Sequence, residues 1–188
     1  MNETRLIEQA QQGDETAWAT LVGQHQEAVF RLAYLLLGDA DEAQDVAQEA
    51  FIRAFYALER FDPTRPLRPW LLRIVTNLAR NKRRAIGRYL AALGRWFQQE
   101  AAFSGPQPAE VHRQRADAQM LWQAVQRLRL SDQEIIYMRY FLELSVAETA
   151  EAAGLAPGTV KSRLHRALDR LRRVIAEEFP ALQEERMV

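Results

Sequence analysis

The stretch from Ser145 to Arg173, SVAETAEAAGLAPGTVKSRLHRALDRLRR, leaves this chain few choices of fold. Ser145 followed three residues later by Glu148 is a capping box and predicts a helix start. Gly154 predicts where that short helix stops, because glycine takes the left-handed conformation at least cost. Pro157 restarts a helix at its first position, where the missing N–H would have had no partner. Ala150, Gly154 and Val160 then have helix-turn-helix spacing: a small residue at a helix crossing, a turn glycine and an apolar anchor.

The second helix of this motif shows what it faces. Val160, Leu164, Ala167, Leu168 and Leu171 recur at steps of three and four and form its buried stripe. At roughly 100° per residue, Ser162 and Arg166 point away from that stripe. Lys161, Arg163 and Arg170 flank them, where phosphates would lie if the helix entered a major groove. A basic helix face is ordinarily just solvated surface. Here it sits on the second helix of a complete motif, which points to DNA.

The charges need mapping before that reading holds. Lys plus Arg and Asp plus Glu both number 25, so the formal net charge is zero. They are segregated, however. From Arg65 to Arg95 there is no acid, while nine basic residues accumulate: Arg65, Arg68, Arg73, Arg80, Lys82, Arg83, Arg84, Arg88 and Arg95. One surface for an acidic partner and another for a basic one are expected. The absence of cysteine excludes a disulfide framework, a thiolate metal site and a thiol nucleophile. His25, His112 and His165 lack metal-ligand spacing, so no metal or other cofactor is expected. No apolar run reaches membrane-spanning length and MNETRLIEQA has no signal-peptide core, which predicts a soluble cytoplasmic protein.

Nearly all the rest reads as helix, so the predicted class is all-α: two small helical domains joined by a flexible linker. Asp14 caps a helix from Glu15 to about Leu37, ended by Gly38. Asp39 with Glu42 opens a second, whose stripe runs from Ala43 through Val46, Ala47, Ala50, Phe51, Ala54, Phe55 and Leu58. Asp45, Gln48, Glu49 and Ile52 share a separate face of it. Phe61 to Pro69, FDPTRPLRP, reads as a broken loop. A third helix is predicted over Trp70 to about Arg84, with Trp70, Ile74, Val75 and Leu78 inward and Arg73, Asn77, Arg80, Asn81 and Arg84 outward. Arginine and asparagine suit phosphates and base edges. The weakly patterned segment from Gly87, with the break SGPQP, reads as a linker in which Trp96 and Phe97 have no assigned role. Beyond it, one helix is expected to about Leu128, and Ser131 with Glu134 is expected to cap the next. The tail after Pro180 is expected to fray.

Three runs, DADEAQDVAQEAFIRAFYAL, WLLRIVTNLARNKRR and LSDQEIIYMRYFLELSVAETAEAAGLAPGTVKSRLHRALDRLR, together resemble a bacterial extracytoplasmic-function (ECF) sigma factor of the sigma-70 family. The resemblance implies sigma region 2 over residues 1–95, a linker over 96–115 and sigma region 4 over 116–178. It implies that Asp45, Gln48 and Glu49 bind the clamp helices of the RNA polymerase β′ subunit. It implies that the loop before Trp70, including Arg65 and Arg68, acts with Arg73, Asn77, Arg80, Asn81 and Arg84 to open the minus-ten element. Thr159, Lys161, Ser162, Arg163 and Arg166 would read the minus-thirty-five element. Core polymerase (β′ clamp helices and β flap), promoter DNA and an anti-sigma factor are the implied partners.

The chain departs from the family pattern in two places. Asn81 stands where aspartate is usual, and Ala156 before Pro157 where a serine cap is usual. Loss of that cap costs about 1 kcal/mol, part of which the fixed φ of Pro157 recovers. A neutral protein attracts duplex DNA weakly, since phosphate neutralisation supplies most non-specific affinity. Free protein is therefore expected to bind promoter poorly and holoenzyme to bind it well. A stand-alone dimeric helix-turn-helix regulator would explain residues 131–173 but would leave both faces of the first domain idle. The sequence carries no glycine-rich phosphate loop, nucleophile elbow or paired His and carboxylate motif, so an enzyme is not expected.

Overall fold

The computed structural model describes residues 2–93 and 112–184, and side chains over 2–85 and 119–182. The described residues are helical, with turns and no strand. The linker expectation lies outside them over 94–111, Trp96 and Phe97 included. Its two ends do not, for residues 87–93 continue the helix expected to stop near Arg84 and residues 112–115 are already helical. In chain order the helices are α1 (Glu3–Gln11), α2 (Glu15–Leu37), α3 (Ala40–Ala57), α4 (Leu67–Leu93), α5 (His112–Gln126), α6 (Leu130–Ile136), α7 (Val146–Ala153), α8 (Pro157–Glu178) and α9 (Ala181–Glu184).

In the first unit, the caps act as the sequence predicts. The Asp14 carboxylate accepts from the amides of Thr16 and Ala17, and Gly38 ends α2 at φ +78°. Asp39 accepts the Glu42 amide at 2.8 Å. Helix α1 was not expected: only Leu6, Ile7 and Ala10 face inward, too few to show a period. It matters nonetheless, because Glu3 joins three helices. Its carboxylate meets His25 Nε2 on α2 at 3.0 Å and accepts the Leu67 amide at the start of α4 at 3.3 Å. Gln11 donates to the carbonyls of Leu58 and Phe61 and so fastens the turn after α3.

Helix α4 begins at Leu67, three residues before the predicted start. Pro69 falls in its first turn, where a missing N–H costs nothing. Trp70 packs on Phe61 with ring centroids 4.6 Å apart and belongs to the core, as expected. Phe55, placed in the buried stripe by spacing, is instead 48% exposed.

In the second unit the predicted Ser131/Glu134 cap does not form. Helix α6 begins at Leu130 after Arg129, without a side-chain cap, and Glu134 is turned to another partner. Trp122, Tyr137 and Phe141 interlock at centroid distances of 5.4–5.9 Å, each pair worth about 0.5–1.5 kcal/mol beyond area burial. Residues Tyr137–Phe141 form a π-helical turn that leads to Glu143 at φ +56° and then to α7. The α7–α8 motif is as read: both halves of the Ser145/Glu148 box form, Gly154 sits at φ +69°, and Pro157 opens α8. After Pro180, where fraying was expected, α9 adds a turn packed on α5 and α8.

The two units touch. Helix α4 packs along α7, while α2 reaches α6 and the π-helical turn.

Candidate nucleic-acid and partner interfaces

The first surface lies on α2 and α3. Asp45 and Gln48 are exposed and Glu49 is half-buried. Glu49 accepts from Arg53 Nε at 2.7 Å, one turn on. Asp45 lies 3.6 Å from Lys82 of α4, whose nearer partner is Glu42 at 3.1 Å. Beside these groups runs a groove lined by Trp18, Phe51, Ile52, Phe55 and Tyr56, with Tyr56 81% exposed. An acidic edge against an apolar floor can hold a partner helix with basic and apolar side chains. The sequence indicated the acidic edge. It missed the aromatic floor, because Phe55 reads as core by spacing.

The second surface is the outer side of α4 with the turn before it. Arg73, Asn77, Asn81 and Arg84 are exposed, as spacing predicted. Three other expected residues are engaged by the second unit. Arg65 pairs with Glu151 of α7 at 2.5 Å. Arg68 donates to the Leu142 carbonyl at 2.9 Å. Arg80 makes a two-pronged pair with Glu134, Nε to Oε1 at 2.9 Å and Nη2 to Oε2 at 2.6 Å. Its terminal nitrogens also reach the Ala153 carbonyl at 3.3 Å, at the end of α7. The Glu134 carboxylate pushes the Arg80 guanidinium further up from its ordinary value, against the opposing effect of burial. Arg83 is directed inward, donating to the Leu36 carbonyl at 2.5 Å, and burial lowers its pKa.

The third surface is the outer side of α8. Val160, Ala167 and Leu171 are buried and Leu164 and Leu168 half-buried, so the predicted stripe faces α6 and α7. Lys161, Ser162 and Arg166 are exposed, with Thr159 and Arg163 half-buried beside them. Arg166 lies back along its own helix, donating to the Ser162 carbonyl at 3.1 Å. Arg170 does not flank this face as a phosphate contact. It pairs at 2.6 Å with Asp132, whose side chain is fully buried, and Arg129 bonds the same oxygen at 3.1 Å. A buried carboxylate needs such partners, and this one fixes α8 against α6.

Both units match sigma-factor family models: "Sigma-70 region 2" over residues 21–89 and "Sigma-70, region 4" over residues 118–171. The chain is 32% identical to the ECF RNA polymerase sigma factor SigW of Bacillus subtilis, over 92% of this chain and 96% of that one. It is 32% identical to the RNA polymerase sigma-H factor of Pseudomonas aeruginosa, over 97% and 96%. Among solved structures it resembles CnrH in complex with the cytosolic domain of CnrY, with a TM-score of 0.69 at 26% identity, covering 94% of this chain and 98% of that one. The fold is shared with the sigma factor RpoE of Bartonella quintana, solved with the anti-sigma factor NepR, at a TM-score of 0.68 and 24% identity, over 85% and 97%. The similarity runs through both units, so a stand-alone dimeric regulator is not favoured. With both sigma regions matched in order and relatives similar from end to end, the chain belongs to the extracytoplasmic-function sigma factors of the sigma-70 family, which direct RNA polymerase to promoters.

Proposed function

We propose that the sigma-factor activity of this chain is divided among its three surfaces. Residues 1–95 bind core polymerase and open the minus-ten element, residues 96–115 link, and residues 116–178 read the minus-thirty-five element. Asp45, Gln48 and Glu49, with the aromatic groove beside them, receive the β′ clamp helices, and region 4 meets the β flap. Arg65, Arg68, Arg73, Asn77, Arg80, Asn81 and Arg84 hold the opened minus-ten strand. Thr159, Lys161, Ser162, Arg163 and Arg166 enter the upstream major groove. Work on polymerase places the protein in the cytoplasm, and an anti-sigma factor is its expected regulator. The family is not an enzyme class, and this chain is assigned no catalysis of its own.

The observation that carries this reading is an exposed Ser162/Arg166 face on α8, opposite a buried stripe, in the same chain as an acid-edged groove. Its test is transcription. Purified chain added to core polymerase should give transcripts from discrete start sites on genomic fragments, and core alone should not. Equal, scattered initiation with and without the chain would end the proposal.

A further inference from the structure

The exposed or half-exposed turn from Asp62 to Pro66 lies between two buried anchors, Phe61 and Leu67. Both anchors are held by side chains of α1, a helix with no part in the three surfaces described. At the near end, the Gln11 amide directs both of its N–H bonds at backbone, donating to the Leu58 carbonyl at 2.9 Å and the Phe61 carbonyl at 2.8 Å. At the far end, the Glu3 carboxylate accepts the Leu67 amide at 3.3 Å. That amide opens α4, where an N–H has no partner within its own helix. The other Glu3 oxygen meets His25 Nε2 at 3.0 Å, which keeps the carboxylate turned toward α4.

Between its anchors the turn is shaped by its own residues. Asp62 accepts from the Thr64 amide and hydroxyl at 2.9 and 2.7 Å, and its carbonyl accepts the Arg65 amide at 3.1 Å. Pro63 and Pro66 restrict the backbone further. These local bonds fix the form of the turn but not its place against α4. Its place is set at the ends, by the packing of Phe61 on Trp70 and by the bonds from α1. A helix serving only as packing would need no more than the buried Leu6, Ile7 and Ala10. Gln11 and Glu3 instead reach backbone 47 to 64 positions away. An exposed turn fixed at both ends by a rigid scaffold is a common way to present a recognition edge.

We propose that Gln11 and Glu3, the last and first residues of α1, are positioning residues for strand capture. From the two ends of one helix they hold the turn Asp62–Pro66 in a single place against α4, so that an unpaired base of the opened strand meets a pre-formed edge. Neither residue touches DNA. The proposal rests on the reading of this turn and α4 as the minus-ten face. Without the clasp, only a fraction of molecules presents the turn in place, and apparent affinity for the strand falls by that fraction. Polymerase binding through α3 and upstream recognition through α8 do not pass through the turn and are untouched.

The test uses the full chain assembled with core polymerase. Gln11→Leu and Glu3→Leu each release one end of the clasp and keep a good helix former in α1. Each should lower holoenzyme affinity for the single non-template strand of a mapped start site about tenfold, the order expected for losing two neutral hydrogen bonds or one to a charged group. Affinity for core polymerase, and for duplex carrying only the upstream element, should not change. Asn77→Ala, on α4 itself, is the control for the strand-binding face. Undiminished strand affinity in both Gln11→Leu and Glu3→Leu would overturn the proposal, whatever Asn77→Ala shows. An equal loss of core, upstream and strand binding would overturn it too, since that is the mark of a helix needed only for folding. A loss confined to the strand in the α1 variants, with none in Asn77→Ala, would support the clasp and remove α4 as the strand contact.

Discussion

Ser162, Arg166 and Lys161 sit within five positions of one another, yet helical geometry predicts different tasks for them. Arg166 faces away from the buried stripe and donates to the carbonyl and the hydroxyl of its own Ser162; on promoter DNA it is expected to leave them for a base edge. Arg166→Ala should cost roughly 1–3 kcal/mol on the preferred upstream element and flatten discrimination at one or two base positions. Lys161→Ala should weaken all sequences alike and lower the salt slope by about one unit. Holoenzyme binding to single-base promoter variants at two salt concentrations separates the two. The reverse pattern would mean that α8 is rotated from the orientation described. His25 gives a second prediction. Its burial lowers its proton affinity more than the contact with Glu3 raises it, and the charge of Arg68 lowers it further. The unfolded chain therefore binds more protons than the folded one, and stability should fall as pH drops below about 6.5. Thermal melts from pH 7.5 to 5.5 should show a steeper decline for wild type than for His25→Gln. Side chains such as Ser162 were legible because their partners lie within a turn. Glu134 was not: its partner is 54 positions away, and Ser131 nearby imitated a cap.

Among the helices, α7 and α8 start differently, and the difference is measurable. Ser145 and Glu148 each satisfy the other's amide, at 3.2 and 2.7 Å, and the Glu148 carboxyl is held below its ordinary pKa by the Ser145 hydrogen bonds. Ser145→Ala should cost about 1 kcal/mol, seen as a lower denaturation midpoint with unchanged slope. Ala156 offers α8 no side-chain cap, so Ala156→Ser should raise the midpoint. On α3, Asp45→Arg with Glu49→Arg alters exposed or half-exposed groups and should leave the fold intact. Affinity for core polymerase should fall sharply. Titration showing undiminished binding would remove the acidic edge from that interface. Helix ends set by local residues, such as Asp14, Gly38 and Gly154, could be read directly. The start of α4 could not, since its amide acceptor is Glu3, 64 residues earlier, and Pro69 imitated a break.

At the scale of the whole molecule, two helical units could be read from the order of the motifs, but their contact could not. The break SGPQP suggests cutting, and limited proteolysis should begin between Gln98 and Arg115. First cuts inside α2 or α8 would contradict the division. Charge segregation was visible in the sequence, but the sequence could not show where the basic stretch would find its acids. Many of those acids belong to the same chain: Glu134, Glu151, Glu42 and Asp45. Arg80 therefore has consequences for how such a chain can change over generations. A replacement that removes its guanidinium leaves the Glu134 carboxylate, whose side chain is 7% exposed, without its one ion-pair partner among the described residues. Positions 80 and 134 are therefore expected to vary together rather than singly, because either change alone leaves a part-buried charge without its partner.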